Sequence, residues 1–179
     1  MARKILVVSG SSRPGGVADT FVPVVSKELA SRDNVEVTTV DVKHLGLPFF
    51  DAPVAPSSEE FAPDNENVLA WTKMVGDADA IVLVTPEYNG SLSAIQKNAI
   101  DWVFKEWNDK PVALAGYGWY GASRVHDNAK IVLGNVKANV LPTTTNLTFM
   151  KELNVDGTIA DEAAVDAQLK ATVDEVVAA

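Results

Sequence analysis

The sequence contains no cysteine, and only two of its 179 residues are histidine. Without cysteine, the chain can form no disulfide, no thiolate zinc site and no cysteine nucleophile. His44 and His126 are far apart and belong to no recognisable motif, so the sequence predicts neither a metal site nor a Ser-His-Asp arrangement. Both histidines are expected at the surface or at a helix cap.

The sequence also lacks an apolar run of membrane-spanning length and a signal-like N-terminus, which makes the cytoplasm the default location. Acidic residues outnumber basic ones by 24 to 15, giving a net charge of −9. Such a chain should repel nucleic acid and anionic membranes, so we expect neither as a partner. A phosphate ligand would need backbone N–H groups, a helix N-terminus or an arginine such as Arg13 or Arg124, which follow turns rich in glycine.

Strand-like runs and helical apolar spacing alternate along the chain. The predicted strands are Lys4 to Ser9, Val35 to Val42, Ile81 to Val84, Lys110 to Tyr117 and a last one within Asn139 to Met150, most clearly at Asn146 to Phe149. The predicted helices start near Ala18 to Thr20 and cover Val68 to Val75, Ile95 to Val103, Val125 to Val136 and Asp161 to Val177. This alternation predicts one α/β domain over residues 1–179, with a parallel sheet and helices on both faces.

Two segments fit this pattern less well. Pro23 is expected only in the first turn of a helix, so the first helix should begin late or be kinked. The segment 43–65 holds four of the nine prolines together with Leu47, Phe49 and Phe50. We interpret it as a rigid cover over the edge of the core, with a substrate lid and a subunit interface as alternatives.

The loops after strands one, three and four leave the sheet at the same carboxyl edge, where open α/β sheets bind ligands. These loops are Gly10 to Gly16, Pro86 to Ser91 and Gly116 to Arg124, and all are rich in glycine, serine, asparagine or aromatic residues. In the first loop, glycines, serines and Arg13 precede a helix and suit a phosphate. The alternative is a plain glycine turn with a solvated arginine.

The other two loops suit a planar ring. In the loop Pro86 to Ser91, Asn89 and Gly90 tolerate positive φ. This loop carries no charge apart from Glu87, so its backbone can contact a flat, polar-edged group. Tyr117, Trp119 and Tyr120 in the third loop could line a ring pocket, although aromatic residues beside a strand are as often part of the core.

The motifs GSSRPGG after the first strand, and TPEYNGS and KNAIDW after the third, resemble the NADPH-dependent FMN reductases of the flavodoxin-like fold. The resemblance covers nearly the whole chain and implies a five-stranded parallel sheet in the order 2-1-3-4-5. It implies that the FMN phosphate is held by Ser11, Arg13, Gly15, Gly16, Val17 and Ala18. The isoalloxazine edge would contact Pro86, Glu87, Tyr88, Asn89, Gly90 and Ser91, and the far side of the pocket would be shaped by Gly116, Tyr117, Gly118 and Gly121.

The chain departs from the family pattern at several positions. Ser93-Ala94 replaces a common Pro-Gly, Gln96 replaces leucine and Ala122 replaces a second glycine. The phosphate loop lacks the Ser-x-Asn of many members and has Gly16 and Ala18 instead.

The resemblance implies an enzyme that transfers a hydride from NADPH to FMN and then passes electrons to a small acceptor such as a flavin, quinone, azo compound or metal oxyanion. The flavin carries the chemistry, so no side chain is assigned as catalytic. A homodimer or homotetramer is implied as well. Two alternatives are a flavodoxin-type one-electron carrier, which the acidity suits, and a flavin-free interaction module on the same fold.

Overall fold

The computed structural model describes residues 1–179 and contains one five-stranded sheet in the order β2-β1-β3-β4-β5. Every neighbouring pair of strands is parallel, which confirms the predicted flavodoxin-like topology. The strands are β1 (Arg3–Ser9), β2 (Val35–Asp41), β3 (Ala80–Pro86), β4 (Pro111–Gly118) and β5 (Asn139–Thr148). The helices are α1 (Val17–Ala30), α2 (Glu66–Asp77), α3 (Ala94–Asp101), α4 (Ser123–Asn135) and α5 (Glu162–Ala178). None of the helices has both the length and the apolar character needed to cross a membrane.

The core lies on both faces of the sheet. Side chains alternate along each strand, so Val7 packs toward α1 and α5 while Leu6 packs toward α2, α3 and α4. All seven residues of β3 are buried, as expected for the central strand of a sheet that is covered on both sides. The carboxyl edge of this rigid sheet is therefore the natural place for a ligand.

Two element boundaries differ from the predictions. Helix α1 begins at Val17, one residue before the earliest predicted start, and Pro23 lies in its second turn rather than its first. Strand β5 spans ten residues instead of only its final stretch. Its Pro142 is tolerated because β5 is an edge strand and because its pairing with β4 is irregular between Val112 and Leu114.

The proline-rich segment 43–65 is fastened to α3 and the residue after it. The carbonyl oxygen of Pro48 accepts hydrogen bonds from Asn98 Nδ2 and Trp102 Nε1, both at 2.8 Å. The Phe50 amide donates to Asn98 Oδ1 at 2.9 Å, and the Phe50 and Trp102 rings contact each other edge to face at 4.9 Å. These contacts support the interpretation of the segment as a cover over the core.

The two histidines have different environments. His44 is exposed, as predicted. His126 is only 2% exposed and lies inside α4, so its predicted position at the surface or at a helix cap is wrong. Burial lowers the pKa of His126 to about 4, and neither ring nitrogen has a hydrogen-bond partner. Burial disfavours the charged imidazolium, so the ring is neutral at physiological pH. In its neutral form, this histidine can pack as a core residue.

Candidate functional site

A cleft of about 270 Å³ lies at the carboxyl edge of the sheet, where the loops after β1, β3 and β4 converge as predicted. Ten of the predicted cofactor-binding residues line it: Ser11, Arg13, Gly15, Gly16, Val17, Pro86, Glu87, Tyr88, Tyr117 and Gly118. Six further residues complete the wall: Pro14, Trp119, Phe149, Val155, Asp156 and Gly157.

The loop after β1 brings an uncapped helix N-terminus to the cleft. Gly16 is the N-cap of α1 and supplies no side-chain hydrogen bond to the first turn. The first N–H groups of a helix have no intrahelical acceptor, so they and the positive end of the helix dipole are available to an anion. Gly15 has φ of +63°, a conformation that strains any side chain, and Arg13 is exposed beside it. This loop fits a phosphate group.

One donor of this loop is already engaged within the protein. The Gly15 N–H donates to the carboxylate of Asp19, at 2.8 Å, and Lys43 Nζ lies 3.6 Å from the same carboxylate. A phosphate in the loop would therefore share its surroundings with a negative charge. Ala18, also predicted to contact the phosphate, is buried one residue beyond the cleft lining.

The loop after β3 forms the predicted tight turn. Tyr88 and Ser91 exchange both backbone hydrogen bonds at 3.0 Å, and Asn89 and Gly90 have φ of +53° and +79°. Only the first half of the loop lines the cleft. Asn89, Gly90 and Ser91 lie outside its lining, and Ser91 Oγ bonds Asn128 of α4 at 2.8 Å.

Glu87 connects this turn to the neighbouring loop. Its N–H donates to the carbonyl oxygen of Tyr117 at 2.9 Å, and its carboxylate accepts from the Val125 N–H in the first turn of α4 at 3.4 Å. A Cβ added at Gly118 would lie 2.8 Å from the Cβ of Glu87, so only glycine permits this close approach. Glu87 and Gly118 thus form one continuous wall.

Gly116 and Gly121, the remaining predicted residues of the third loop, shape the backbone and the packing of α4 and do not line the cleft. A Cβ at Gly116 would lie 2.4 Å from His126 Nε2 and 2.5 Å from the Cβ of Ala122, so this glycine allows α4 to pack on β4. Gly121 has φ of +63° in the turn that leads into α4. Neither glycine lines the cleft.

The loop after β5 forms the fourth wall, which the sequence analysis missed. Phe149, Val155, Asp156 and Gly157 all line the cleft. The loop lies against the start of α1, since a Cβ at Gly157 would be 3.1 Å from the Cα of Val17. Two signals were present in the sequence: β5 also ends at the carboxyl edge, and Asp-Gly is a strong turn dipeptide.

Aromatic and apolar side chains also line this cleft. Trp119 and Phe149 contact each other with ring centroids 5.1 Å apart, and Val155 lines the cleft with them. Trp119 is 59% exposed, so much of its surface is free to cover a ligand. Tyr120, the other aromatic considered for this pocket, is outside the lining and lies beneath Arg124 at 4.2 Å.

The cleft therefore combines an anion site with an apolar, aromatic surface. This combination fits the phosphate and the planar ring of FMN. Side chains that line the cleft include no histidine, lysine or cysteine, so the chemistry would be supplied by the flavin and its substrates.

Comparisons with known proteins agree with this geometry. The sequence model of the NADPH-dependent FMN reductase family matches residues 3–150. An NAD(P)H-dependent FMN reductase of Schizosaccharomyces pombe is 34% identical over 156 residues, covering 87% of this chain and 78% of the relative. A quinone reductase of Escherichia coli is 29% identical over 182 residues, and the match covers 93% of this chain and 90% of the relative. The solved structure of FerB, an NAD(P)H:acceptor oxidoreductase of Paracoccus denitrificans, superimposes with a TM-score of 0.76 at 26% identity, covering 99% of this chain and 96% of that one.

Proposed function

The chain belongs to the NADPH-dependent FMN reductase family and is an oxidoreductase that uses FMN and NAD(P)H. From this we propose that it oxidises NADPH and reduces a quinone through FMN held in the cleft. The quinone is proposed because a relative that covers 93% of this chain is named a quinone reductase. Preference for NADPH over NADH rests on the family description alone.

The observation that carries the proposal is that the uncapped N-terminus of α1 and the aromatic side chains of Trp119 and Phe149 line a single cleft. The phosphate would be held by the N–H groups of Gly16 and Val17 and by the guanidinium of Arg13. Trp119 and Phe149, which contact each other and line the same cleft, would contact the ring. The proposed binding residues thus come from loops that a rigid sheet keeps at fixed separation.

When bound, FMN accepts electrons from the nicotinamide and donates them to the acceptor. The protein contributes binding, orientation and electrostatics. In the turn 86–91, only Asn89 and Gly90 have N–H groups without a partner in the protein, and these would be the turn's donors to negative charge on the ring. One face of the flavin ring would have to stay open to the nicotinamide, because the reacting atoms of the two rings must approach to roughly 3–3.5 Å.

Steady-state kinetics test this proposal. If NADPH and the quinone use the same open face in turn, double-reciprocal plots at several quinone concentrations will be parallel. Intersecting lines would mean that both substrates bind together and would contradict the shared face. Absence of quinone reduction by the FMN-loaded protein would contradict the proposed reaction itself. The predicted homodimer or homotetramer and the cytoplasmic location stay predictions.

A further inference from the structure

The Tyr88 side chain reaches the phosphate end of the cleft, although its turn was predicted to contact the ring edge. Its hydroxyl lies 3.1 Å from Ser11 Oγ, 77 residues away in the sequence. Ser11 is only 2% exposed and yet lines the cleft. The two hydroxyls therefore join the loop after β3 to the phosphate loop.

The hydrogen-bonding capacity of Ser11 limits the possible arrangements. A serine hydroxyl has one donor and two acceptor positions. One acceptor position is used by the Arg13 N–H, which donates to Ser11 Oγ at 3.2 Å. If Tyr88 donates to the second acceptor position, the Ser11 O–H is left free to donate. If Ser11 donates to Tyr88 instead, it has no proton for a ligand.

Tyr117, near the end of β4, adds a third hydroxyl to the residues that line the cleft. Burial raises the pKa of Tyr117. Tyr117 is 5% exposed and remains neutral. A neutral hydroxyl next to an anion site contributes most when its proton points at the anion.

We propose that Tyr88 is a positioning residue: its hydroxyl donates to Ser11 Oγ and thereby directs the Ser11 O–H toward the phosphate of the bound cofactor. This inference rests on the proposed FMN site and deepens it. It predicts that the Tyr88 hydroxyl contributes to recognition of the phosphate, rather than of the ring.

The test compares two ligands that differ only in the phosphate. FMN and riboflavin are titrated into the flavin-free protein by calorimetry, for the wild type, Tyr88→Phe, Ser11→Ala and the double variant. Tyr88→Phe keeps the ring and the turn, and thermal unfolding checks that each variant is folded. Tyr120→Phe is the matched control, because it removes the hydroxyl of an exposed tyrosine outside the cleft lining.

We expect Tyr88→Phe to weaken FMN binding by about tenfold, the effect of losing a well-oriented hydrogen bond to a charged group. The affinity for riboflavin should stay within about twofold of the wild-type value. In the Ser11→Ala background the same substitution should change FMN affinity by less than about twofold, since the two hydroxyls act as one unit. Tyr120→Phe should change neither ligand.

The results distinguish this inference from the proposed function. A wild-type protein that binds FMN no better than riboflavin would contradict the phosphate site and the inference with it. A wild type that prefers FMN, with the preference intact in Tyr88→Phe, would overturn only the inference. Equal losses for both ligands, or additive losses in the double variant, would also overturn it, because they would mean that Tyr88 supports the ring or the turn.

Discussion

Arg13 is the only positively charged side chain that lines the cleft of this strongly acidic protein. We expect Arg13→Ala to weaken FMN by about one to two decades, because a charge-assisted hydrogen bond contributes roughly 1.5–3 kcal/mol. Riboflavin affinity should hardly change. Calorimetry with both ligands measures the difference, and Arg124→Ala serves as the control because Arg124 stacks on Tyr120 outside the cleft lining. An equal loss for both ligands would show that Arg13 contacts the ring or is structural.

Asp19 places a carboxylate on the Gly15 N–H, inside the loop that would hold the phosphate. Asp19→Asn keeps an acceptor for that N–H but removes the negative charge, so we expect FMN to bind a few-fold more tightly. The free energy of unfolding should decrease by about 0.3–1 kcal/mol, since a negative charge near a helix N-terminus is stabilising. Calorimetry and thermal unfolding measure the two effects, with the exposed Asp166→Asn as control. Weaker FMN binding would instead mean that the carboxylate organises the loop for its ligand.

His126 predicts a pH dependence of stability. Its pKa of about 4 in the folded protein is below the ordinary value of 6.5, so protonation favours unfolding. The free energy of unfolding is therefore unaffected by protonation of His126 above about pH 6.5. It decreases as the pH falls through about 6.5 toward 4, by about 3 kcal/mol in total. Urea unfolding at several pH values should show a smaller loss in His126→Gln than in wild type, while His44→Gln, at the exposed histidine, should match wild type. Identical pH profiles for His126→Gln and wild type would contradict this assignment.

At the scale of secondary-structure elements, Ser93 connects α3 to the phosphate loop. Its hydroxyl caps α3 by accepting from the Gln96 N–H at 3.1 Å, and it donates to the carbonyl oxygen of Gly10. Because Ser93 is buried, Ser93→Ala leaves both partners unsatisfied, and we expect a loss of roughly 1–3 kcal/mol in the free energy of unfolding. Urea unfolding measures the loss. Ser57→Ala, at an exposed position, is the control, and equal stability of the two variants would contradict the proposed role of Ser93.

Gln96 shows how a departure from the family pattern is accommodated. Its buried side chain donates to Thr85 Oγ1 at 3.1 Å and packs so closely on the chain that a Cβ at Gly10 would lie 2.2 Å away. The absence of a side chain at Gly10 therefore makes room for the glutamine. The sequence alone identified the substitution but not its neighbour, because the two residues are 86 positions apart.

The walls of the site differed in how far they could be predicted. Glycine-rich turns after β1, β3 and β4 carry a local signal, and the sheet topology places them at one edge. The loop after β5 has a weaker signal, and its approach to Val17 depends on tertiary packing at Gly157. Gly116 shows the opposite case, since a glycine in a binding loop suggested contact with the ligand, but the space beside it is filled by His126 and Ala122.

At the scale of the whole molecule, the sheet order followed from a resemblance and the layers from alternation of strands and helices. Alternation is a robust signal because a parallel sheet must be covered on both faces. The irregular pairing of β5 and the early start of α1 were not predictable in the same way, because each element contains a proline, Pro142 or Pro23, where local preference disfavours one.

The central claim is that this fold holds FMN for two-electron transfer from a nicotinamide, and anaerobic reduction tests it most directly. FMN-loaded protein is mixed with equimolar NADPH without oxygen while the flavin absorbance is recorded. The account predicts direct bleaching to the two-electron-reduced spectrum within the first turnovers, followed by recovery of the oxidised spectrum on addition of a quinone. Negligible bleaching by NADPH and NADH, together with stepwise one-electron reduction by dithionite, would contradict the account and identify the protein as an electron carrier.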